Sequence, residues 1–579
     1  MVFVRAQWSW PDLSAGPTLR LNASGLAPGL HSRYPVVIDG VDAQGRDRVI
    51  HGEPVTVQVD RAGAHAAPES TTLGGRPPMA ALSKGRFVKP LSGLDGSFLH
   101  LETAATPMHV GSLHRFEPPP GGAAQFRNAI RQMLAERLLR TPVLRRKLAT
   151  MPLQFANPVW IDDPAVNLDD HVRSVTLPMP GGQAELEDCI GELHAQLLDR
   201  ERPLWMLYVI NGLAEGQAAF YVKIHHAVLD GSAGVALAHA LFDSEAQPAA
   251  TPAAATRRAR TAPPPGVLSL AAAAVQHDAA QYLKLVRHLP AAARLLGGLA
   301  KQALGARGEA SGESALRRNL ALGPKTALNV QITGERRFAA ISLPLDALKQ
   351  IATANDAKLN DVVLALCSGA LRRYFAHRGG VPEKSLIAAM PISLREAGNA
   401  EFTTKATMAV VSLATQIADP LARLRTIREA AGAVKAVAKR AESILPTDFP
   451  SIGLPWVLGG LAALYGRSTL ANRIPPIANL VISNVPGPTA PLYCCGARMI
   501  DYWPISIVEH GLGLNITVMS YAGQLGFGIT SARIAMPQPQ KLADALRQSF
   551  DELCAASRPA AVSPKPARKR RAGATGARA

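Results

Sequence analysis

The sequence predicts an α/β fold in two domains, on three observations. Apolar residues at helical spacing alternate with short β-branched and aromatic runs over residues 88–244, and again over 325–555. Between these stretches lies "EAQPAATPAAATRRARTAPPP" (245–265), Ala/Pro-rich and without periodicity, which reads as a linker. At 579 residues with 47% hydrophobic content, the chain is too long for one ordinary core and can fill two.

In chain order, residues 1–87 are an extension of unknown role. They include β-branched runs split by Gly and Asp turns, "YPVVIDGVDAQGRDRVIHGEPVTVQVD" (34–60), which suit a small β unit, and a linker-like "HAAPESTTLGGRPP" (65–78). Met79 serves equally well as the starting residue, in which case the first 78 residues are not part of the mature chain. The first domain, 88–244, opens with a helix over 122–140, where Phe126, Ile130, Met133, Leu134 and Leu138 share a face, and a second over 186–200. "LWMLYVING" (204–212) and "QAAFYVKIHH" (217–226), joined by "LAEG", read as adjacent strands in a sheet core, and "SAGVALAHALFDSE" (232–245) returns to helical spacing. Linker and helical connection occupy 245–324, with an Ala/Leu-rich helical stretch over 267–305 interrupted at Pro290. The second domain, 325–555, holds a helix over 359–379, a strand over 385–395, and a pair of strands within 513–531 around a Gly-containing turn. Residues 556–579 are a basic tail with the composition of disorder.

The formal net charge is +18, and removing the seven basic residues of the tail still leaves +11. Such a surface favours polyanions: nucleic acid, anionic lipid headgroups, or a phosphate-bearing molecule such as coenzyme A. No zinc-finger spacing or aromatic-interleaved basic stripe points to nucleic acid, and aromatics are only 5%, so no nucleic-acid partner is expected. The five cysteines, Cys189, Cys367, Cys494, Cys495 and Cys554, have no metal-ligand spacing, and a bond between adjacent Cys494 and Cys495 would be strained. A reducing cytoplasm fits them, and no metal is expected. The N-terminus "MVFVRAQWSWPDLSAG" lacks the apolar core of a secretory signal, and no apolar run reaches the length that spans a bilayer.

The chemistry concentrates in "KIHHAVLDGSAG" (223–234), where an apolar strand ends in two histidines. Side chains of adjacent residues on an extended backbone face opposite sides of the sheet, so only one of His225 and His226 can point into a given cleft. An imidazole is the commonest general base for a hydroxyl. Asp230 suits a role in holding the loop or pairing with a distant Arg, and Gly231 permits a positive φ where the next helix begins. The plain alternative makes both histidines hydrogen-bonded spacers. A shared metal is disfavoured, since neighbouring strand histidines do not converge on one ion.

"HHAVLDG" (225–231) resembles the HHxxxDG signature of the coenzyme A-dependent acyltransferases. "LSGLDGSFLHLETAATPMHVGSL" (91–113), "DDHVRSVTLPMPGG" (169–182), "LLDRERPLW" (197–205), "LNDVVLA" (359–365), "PISLR" (391–395) and "ANLVISNVPGP" (478–488) resemble, in order, the landmarks of the bacterial wax ester synthase/diacylglycerol acyltransferases. The likeness covers about 88–555 and leaves both termini unexplained. It implies two chloramphenicol acetyltransferase-like domains with the active site at their interface. It further implies an O-acyltransferase that moves a long-chain acyl group from acyl-CoA to diacylglycerol or a long-chain alcohol. His226 would be the general base, with no covalent acyl-enzyme, and His225, Asp230 and Gly231 would support the motif. Acyl-CoA enters as co-substrate, and no cofactor is implied.

The remaining landmarks carry two readings each. Pro203, Leu204 and Trp205 line an acyl channel or, as the favoured reading, pack in the core with an indirect effect. Asn360 and Asp361 cap a helix or border the substrate channel; Ser483 and Asn484 form a plain turn or bind the pantetheine or the oxyanion. Arg395 is the buried structural partner of a carboxylate such as Asp230, or a surface charge. The apolar run "SIGLPWVLGGLAALYG" (451–466), with the 267–305 helices and the basic excess, suits peripheral docking on a membrane or lipid droplet; a core helix gives the same pattern. Two rival functions remain: the same fold acting on another hydroxyl acceptor, such as a polyketide or glycolipid, and a catalytically silent lipid-surface binding protein.

Overall fold

The computed structural model describes, with short interruptions, residues 89–247, 321–393, 406–441 and 454–558, a few residues between 275 and 319, and strands at 5–8, 29–41 and 47–59. Most of the helical stretch expected at 267–305, the linker before it and the tail beyond 558 lie outside the described residues. Residues Met1–Leu82 form one compact unit and Ser83–Ala579 another. In the first, Gly29–Val41 is the middle strand of a three-stranded sheet, antiparallel to Asp47–Val59 and parallel to Arg5–Trp8.

The second unit is built on two six-stranded sheets. In the first sheet, β1 (His109–Phe116), β2 (Val172–Thr176), β3 (Trp205–Asn211) and β4 (Ala218–His225) come from the first half of the chain. The second sheet is formed by β5 (Arg336–Pro344), β6 (Ile387–Ser393), β7 (Ala406–Ser412), β8 (Leu480–Val485), β11 (Leu514–Tyr521) and β12 (Gln524–Ala532). Between β8 and β11 the chain leaves that sheet, and β9 (Tyr493–Cys494) and β10 (Ala497–Ile505) join the first, giving the order β9-β10-β1-β4-β3-β2. The segment assigned to the second domain at 325–555 therefore contributes two strands to the sheet of the first. That exchange stitches the halves together across antiparallel pairs such as Trp503 with Leu113.

Strand β4 explains its own position. Every residue from Ala218 to His225 is buried, Lys223 and His225 included, so both faces of the strand are covered. Phe220, Val222 and Ile224 enter a core with helix α2 (Ala123–Arg137), while Ala219 and Tyr221 enter another with α3 (Gln183–Ala195) and Phe338. Helix α3 stops five residues short of the expected end. Gln196 turns extended (φ −77°, ψ 133°), and the Lys223 ammonium donates to the carbonyls of Leu193 and Gln196 at 2.8 and 2.6 Å, occupying acceptors that another helical turn would use. Over the second sheet pack α4 (Leu359–Ala376), α5 (Pro420–Ala441) and α7 (Gln540–Ser557), burying Val363, Leu366, Leu371, Leu424, Leu546 and Phe550. Helix α4 ends before Gly379 and Gly380, both at positive φ (90° and 100°).

The β11–β12 hairpin turns through Ala522 and Gly523, both at positive φ (42° and 83°), the geometry that matches strand twist. Beyond the turn, β12 runs across β10 so closely that a Cβ on Gly528 would overlap the Pro504 carbonyl. Replacing Gly528 with valine is therefore expected to lower stability by about 3 kcal/mol or more, because backbone cannot yield as a side chain does. Urea unfolding of the variant measures it; an unchanged midpoint would show that the two sheets do not approach there.

Candidate active site

Strand β4 ends at His225, and the chain tightens at once into a 3-10 turn over His226–Val228. The two backbone amides are held separately: His225 N–H donates to Leu204 O at 3.0 Å, His226 N–H to Met108 O at 2.9 Å. The rings then diverge. His225 is wholly buried, and its Nδ1 accepts the Ala227 N–H at 3.1 Å, which assigns its proton to Nε2. That nitrogen faces Glu102 Oε2 at 3.3 Å, its N–H turned toward the carboxylate at an angle too oblique for a regular hydrogen bond.

Glu102 follows helix α1 (Gly93–Leu101) as its cap, with a side chain only 3% exposed. One oxygen accepts the Met108 N–H at 3.0 Å, and the other accepts Arg200 Nη2 at 2.8 Å and Nε at 3.2 Å. Burial pushes its pKa up, but His225, the Met108 amide and Arg200 outweigh burial and hold it at about 2. An ionised carboxylate thus sits behind the first histidine.

The His226 ring is part-exposed and stacks on Phe98 of α1, with centroids 3.9 Å apart and planes at 22°. Its Nδ1 is buried with no hydrogen-bond partner among the described residues, which leaves Nε2 as the nitrogen able to meet another molecule. Burial is the chief cause that lowers its pKa, to about 4. At neutral pH the imidazole is uncharged and has a lone pair to offer.

Beneath the histidines, Tyr221, Lys223 and His225 share one face of β4. Tyr221 O–H donates to His194 Nδ1 (2.7 Å), His194 Nε2–H donates to Ser506 O (3.1 Å), and His109 Nε2–H donates to His194 O (2.6 Å). Burial brings Lys223 down to about 7, opposed by the charge of Glu102, and takes His194 to about 3. Lys223 Nζ also lies 5.8 Å from the Tyr208 ring centroid. The second half of the chain reaches this region too: Arg336 Nη2 donates to Ala105 O at 2.7 Å, fixing the loop between Glu102 and Met108. The base of the site is held from both halves.

The other expected residues fall in three groups. Pro203, Leu204 and Trp205 are buried; the Trp205 indole donates to Leu144 O at 2.9 Å and stacks on His171 at 4.4 Å. Leu204 O accepts the His225 N–H, which ties this segment to the first histidine through the backbone. On the second sheet, Asn484 Nδ2 donates to Asn360 Oδ1 at 3.5 Å, and Asn360 Nδ2 reaches Met390 Sδ at 3.5 Å. Asp361 caps α4 instead, accepting the Lys358 N–H at 2.9 Å, with its pKa raised by burial. Ser483 pairs with Thr517 across β8 and β11, and no hydrogen bond joins Asn360 or Asn484 to His226 among the described residues. Asp230, Gly231 and Arg395 lie outside the described residues. Glu102, Arg200 and Lys223 were not among the expected site residues. The only signal for Glu102 was a lone carboxylate closing an apolar helix in "SFLHLETAA".

Comparison with known proteins gives concordant matches. Residues 91–363 match the profile described as wax ester synthase/diacylglycerol acyltransferase catalytic domain, and 404–554 that of the WS/DGAT C-terminal domain. The chain is 35% identical over 466 residues to the probable diacylglycerol O-acyltransferase tgs2 of Mycobacterium tuberculosis, covering 79% of this chain and 97% of that protein. A second, putative diacylglycerol O-acyltransferase of the same organism is 37% identical, with 80% and 99% covered. Among solved structures, the wax ester synthase/diacylglycerol acyltransferase from Marinobacter aquaeolei VT8 superposes with a TM-score of 0.56 at 29% identity, over 81% of this chain and 99% of that one.

Proposed function

The chain belongs to the wax ester synthase/diacylglycerol acyltransferase family, and from that premise we propose that His226 is the general base of an acyl-CoA-dependent O-acyltransferase acting on diacylglycerol or a long-chain alcohol. The observation that carries this reading is the state of one ring: His226 is neutral, stacked on Phe98, and held at its backbone by Met108. Nε2 takes the proton of the acceptor hydroxyl as that oxygen forms its bond to the thioester carbonyl carbon. When the tetrahedral intermediate collapses, the C–S bond breaks, and the imidazolium returns the proton to the CoA thiolate. Ester and free CoA are the products, and no acyl group is transferred to the protein.

His225 holds the turn through the Ala227 amide, and Glu102 holds His225. The test is turnover of palmitoyl-CoA by the full chain with dioleoylglycerol or hexadecanol, read as thiol release and neutral-lipid formation. Thiol release that depends on either acceptor supports the assignment. Release with only a polyketide or glycolipid hydroxyl would move the acceptor class, and no acceptor-dependent release at all would leave a binding protein.

The acceptor is a lipid, and the same region carries an apolar surface. Helix α6 (Leu454–Arg467) packs against α1, which carries Phe98, yet Trp456, Leu461 and Leu464 are 59%, 55% and 62% exposed. The Trp456 indole donates at 3.1 Å to the carbonyl of Leu153, itself 89% exposed, so the patch extends beyond the helix. No helix among the described residues is long and apolar enough to cross a membrane. The reading is peripheral docking on a membrane or lipid-droplet surface through α6, assisted by the basic excess. Leu461→Glu with Leu464→Glu is expected to weaken sedimentation with anionic vesicles at least about tenfold, while turnover of substrates in detergent micelles changes little. Equal vesicle binding by the variant would remove α6 from that role.

A further inference from the structure

We propose that a cleft between the C-terminal end of α4 and the first half of α7 binds a small molecule bearing a phosphomonoester, at a site separate from acyl transfer. Its volume is about 410 Å³, within the range of small-molecule sites, and larger than a lone phosphate needs. Arg373, Tyr374, His377 and Arg378 line one side, and Lys541 and Asp544 the other. Helix α4 places Asn360 at its start, and its eighteen residues put the cleft roughly 27 Å further along the axis.

Charge selects the ligand class. Three basic side chains, Arg373, Arg378 and Lys541, face one lining carboxylate, Asp544. Arg373 is partly answered by Glu552 at 3.2 Å, a carboxylate that Arg423 shares at 3.8 Å. Arg378 and Lys541 have no carboxylate at ion-pair distance among the described residues. The Arg378 guanidinium instead lies over the Tyr374 ring, 5.4 Å from its centroid, which orients the planar fork. A dianionic phosphomonoester has three oxygens to distribute over such a set; a single carboxylate has two.

The wall holds a second anomaly. Tyr374 is only 6% exposed, and its hydroxyl has no hydrogen-bond partner among the described residues. Buried hydroxyls are rarely left so, and Tyr374 is one of the residues that line the cleft. A small ring rotation toward a bound phosphate oxygen supplies the missing acceptor.

Calorimetric titration of the full chain with adenosine 5′-monophosphate and with inorganic phosphate tests the site. Sedimentation with phosphatidylcholine vesicles, with and without phosphatidic acid, tests the lipid source of the same headgroup. The nucleotide is expected to bind with Kd below about 1 mM, weakened at least about tenfold in Arg378→Ala/Lys541→Ala, while palmitoyl-CoA turnover of that variant stays as in the parent. Tyr374→Phe should weaken binding about threefold without lowering the unfolding temperature. A loss confined to phosphatidic acid vesicles would identify the phosphomonoester as a lipid headgroup. Nucleotide, phosphate and vesicle binding that are all absent, or all unaltered in the double variant, would overturn the proposal whatever the acyltransfer assay shows.

Discussion

Changing His226 to alanine is expected to lower kcat by about 10²- to 10⁴-fold, with KM for palmitoyl-CoA changed little and the unfolding temperature preserved. The ring is part-exposed and makes no side-chain hydrogen bond among the described residues; its main contact is the Phe98 face. Removing it costs some stacking and leaves no buried polar partner stranded. The backbone anchor to Met108 survives, because it uses the His226 amide. A large loss of turnover in a stable variant is therefore a loss of chemistry, whereas a merely structural histidine would take the fold down with it. The pH profile gives an independent reading. With its pKa lowered to about 4, chiefly by burial, His226 stays neutral until the pH falls toward that value. The acid limb of kcat/KM is then expected near pH 4 to 5, well below the ordinary imidazole range, and absent from the residual activity of the variant. A limb centred near 6.5 in the parent would mean that the ring taking the proton is solvated, contrary to this packing.

What the sequence made legible followed from local periodicity. Strands at 205–211 and 218–225 could be read because short runs dense in aromatic and β-branched residues mark buried strands, and α4 because its apolar residues recur at helical spacing. The divergence of His225 and His226 followed from strand geometry alone. What escaped was set by contacts far apart in the chain. Arg115 meets Asp501 across 386 residues in the pairing of β1 with β10, and nothing in "ARMIDYWPI" says that it leaves its neighbours for the other sheet. Helix α3 ends before its periodicity predicts because a lysine on another strand takes carbonyls at its end. Glu102 escaped for the same reason: as a carboxylate after an apolar helix it looks like a solvated end, until tertiary folding sets His225 and Arg200 on it.

That carboxylate supports the second large effect. Glu102→Gln keeps the shape and removes the charge, and kcat is expected to fall about 10- to 100-fold with KM for acyl-CoA within about twofold, the pattern of a positioning residue. A glutamine can turn either its oxygen or its amide toward Nε2 of His225, so the tautomer that lets Nδ1 accept the Ala227 amide is no longer enforced, and the turn carrying His226 loosens. Stability supplies a readout that catalysis does not share. The folded state holds this carboxyl at about 2 against an ordinary value of 4.5, through His225, Met108 and Arg200 acting against burial. The depression stabilises the fold by about 3 kcal/mol above the unfolded pKa, and the contribution fades as pH falls through 4.5 toward 2, because the unfolded chain takes up the proton first. Urea unfolding of parent and variant should differ by a constant amount from about pH 5 to 8 and converge below 4.5. A gap that stayed unchanged on acidification would mean that the glutamate is held by shape alone, and that His225 owes its orientation to the Ala227 amide without it.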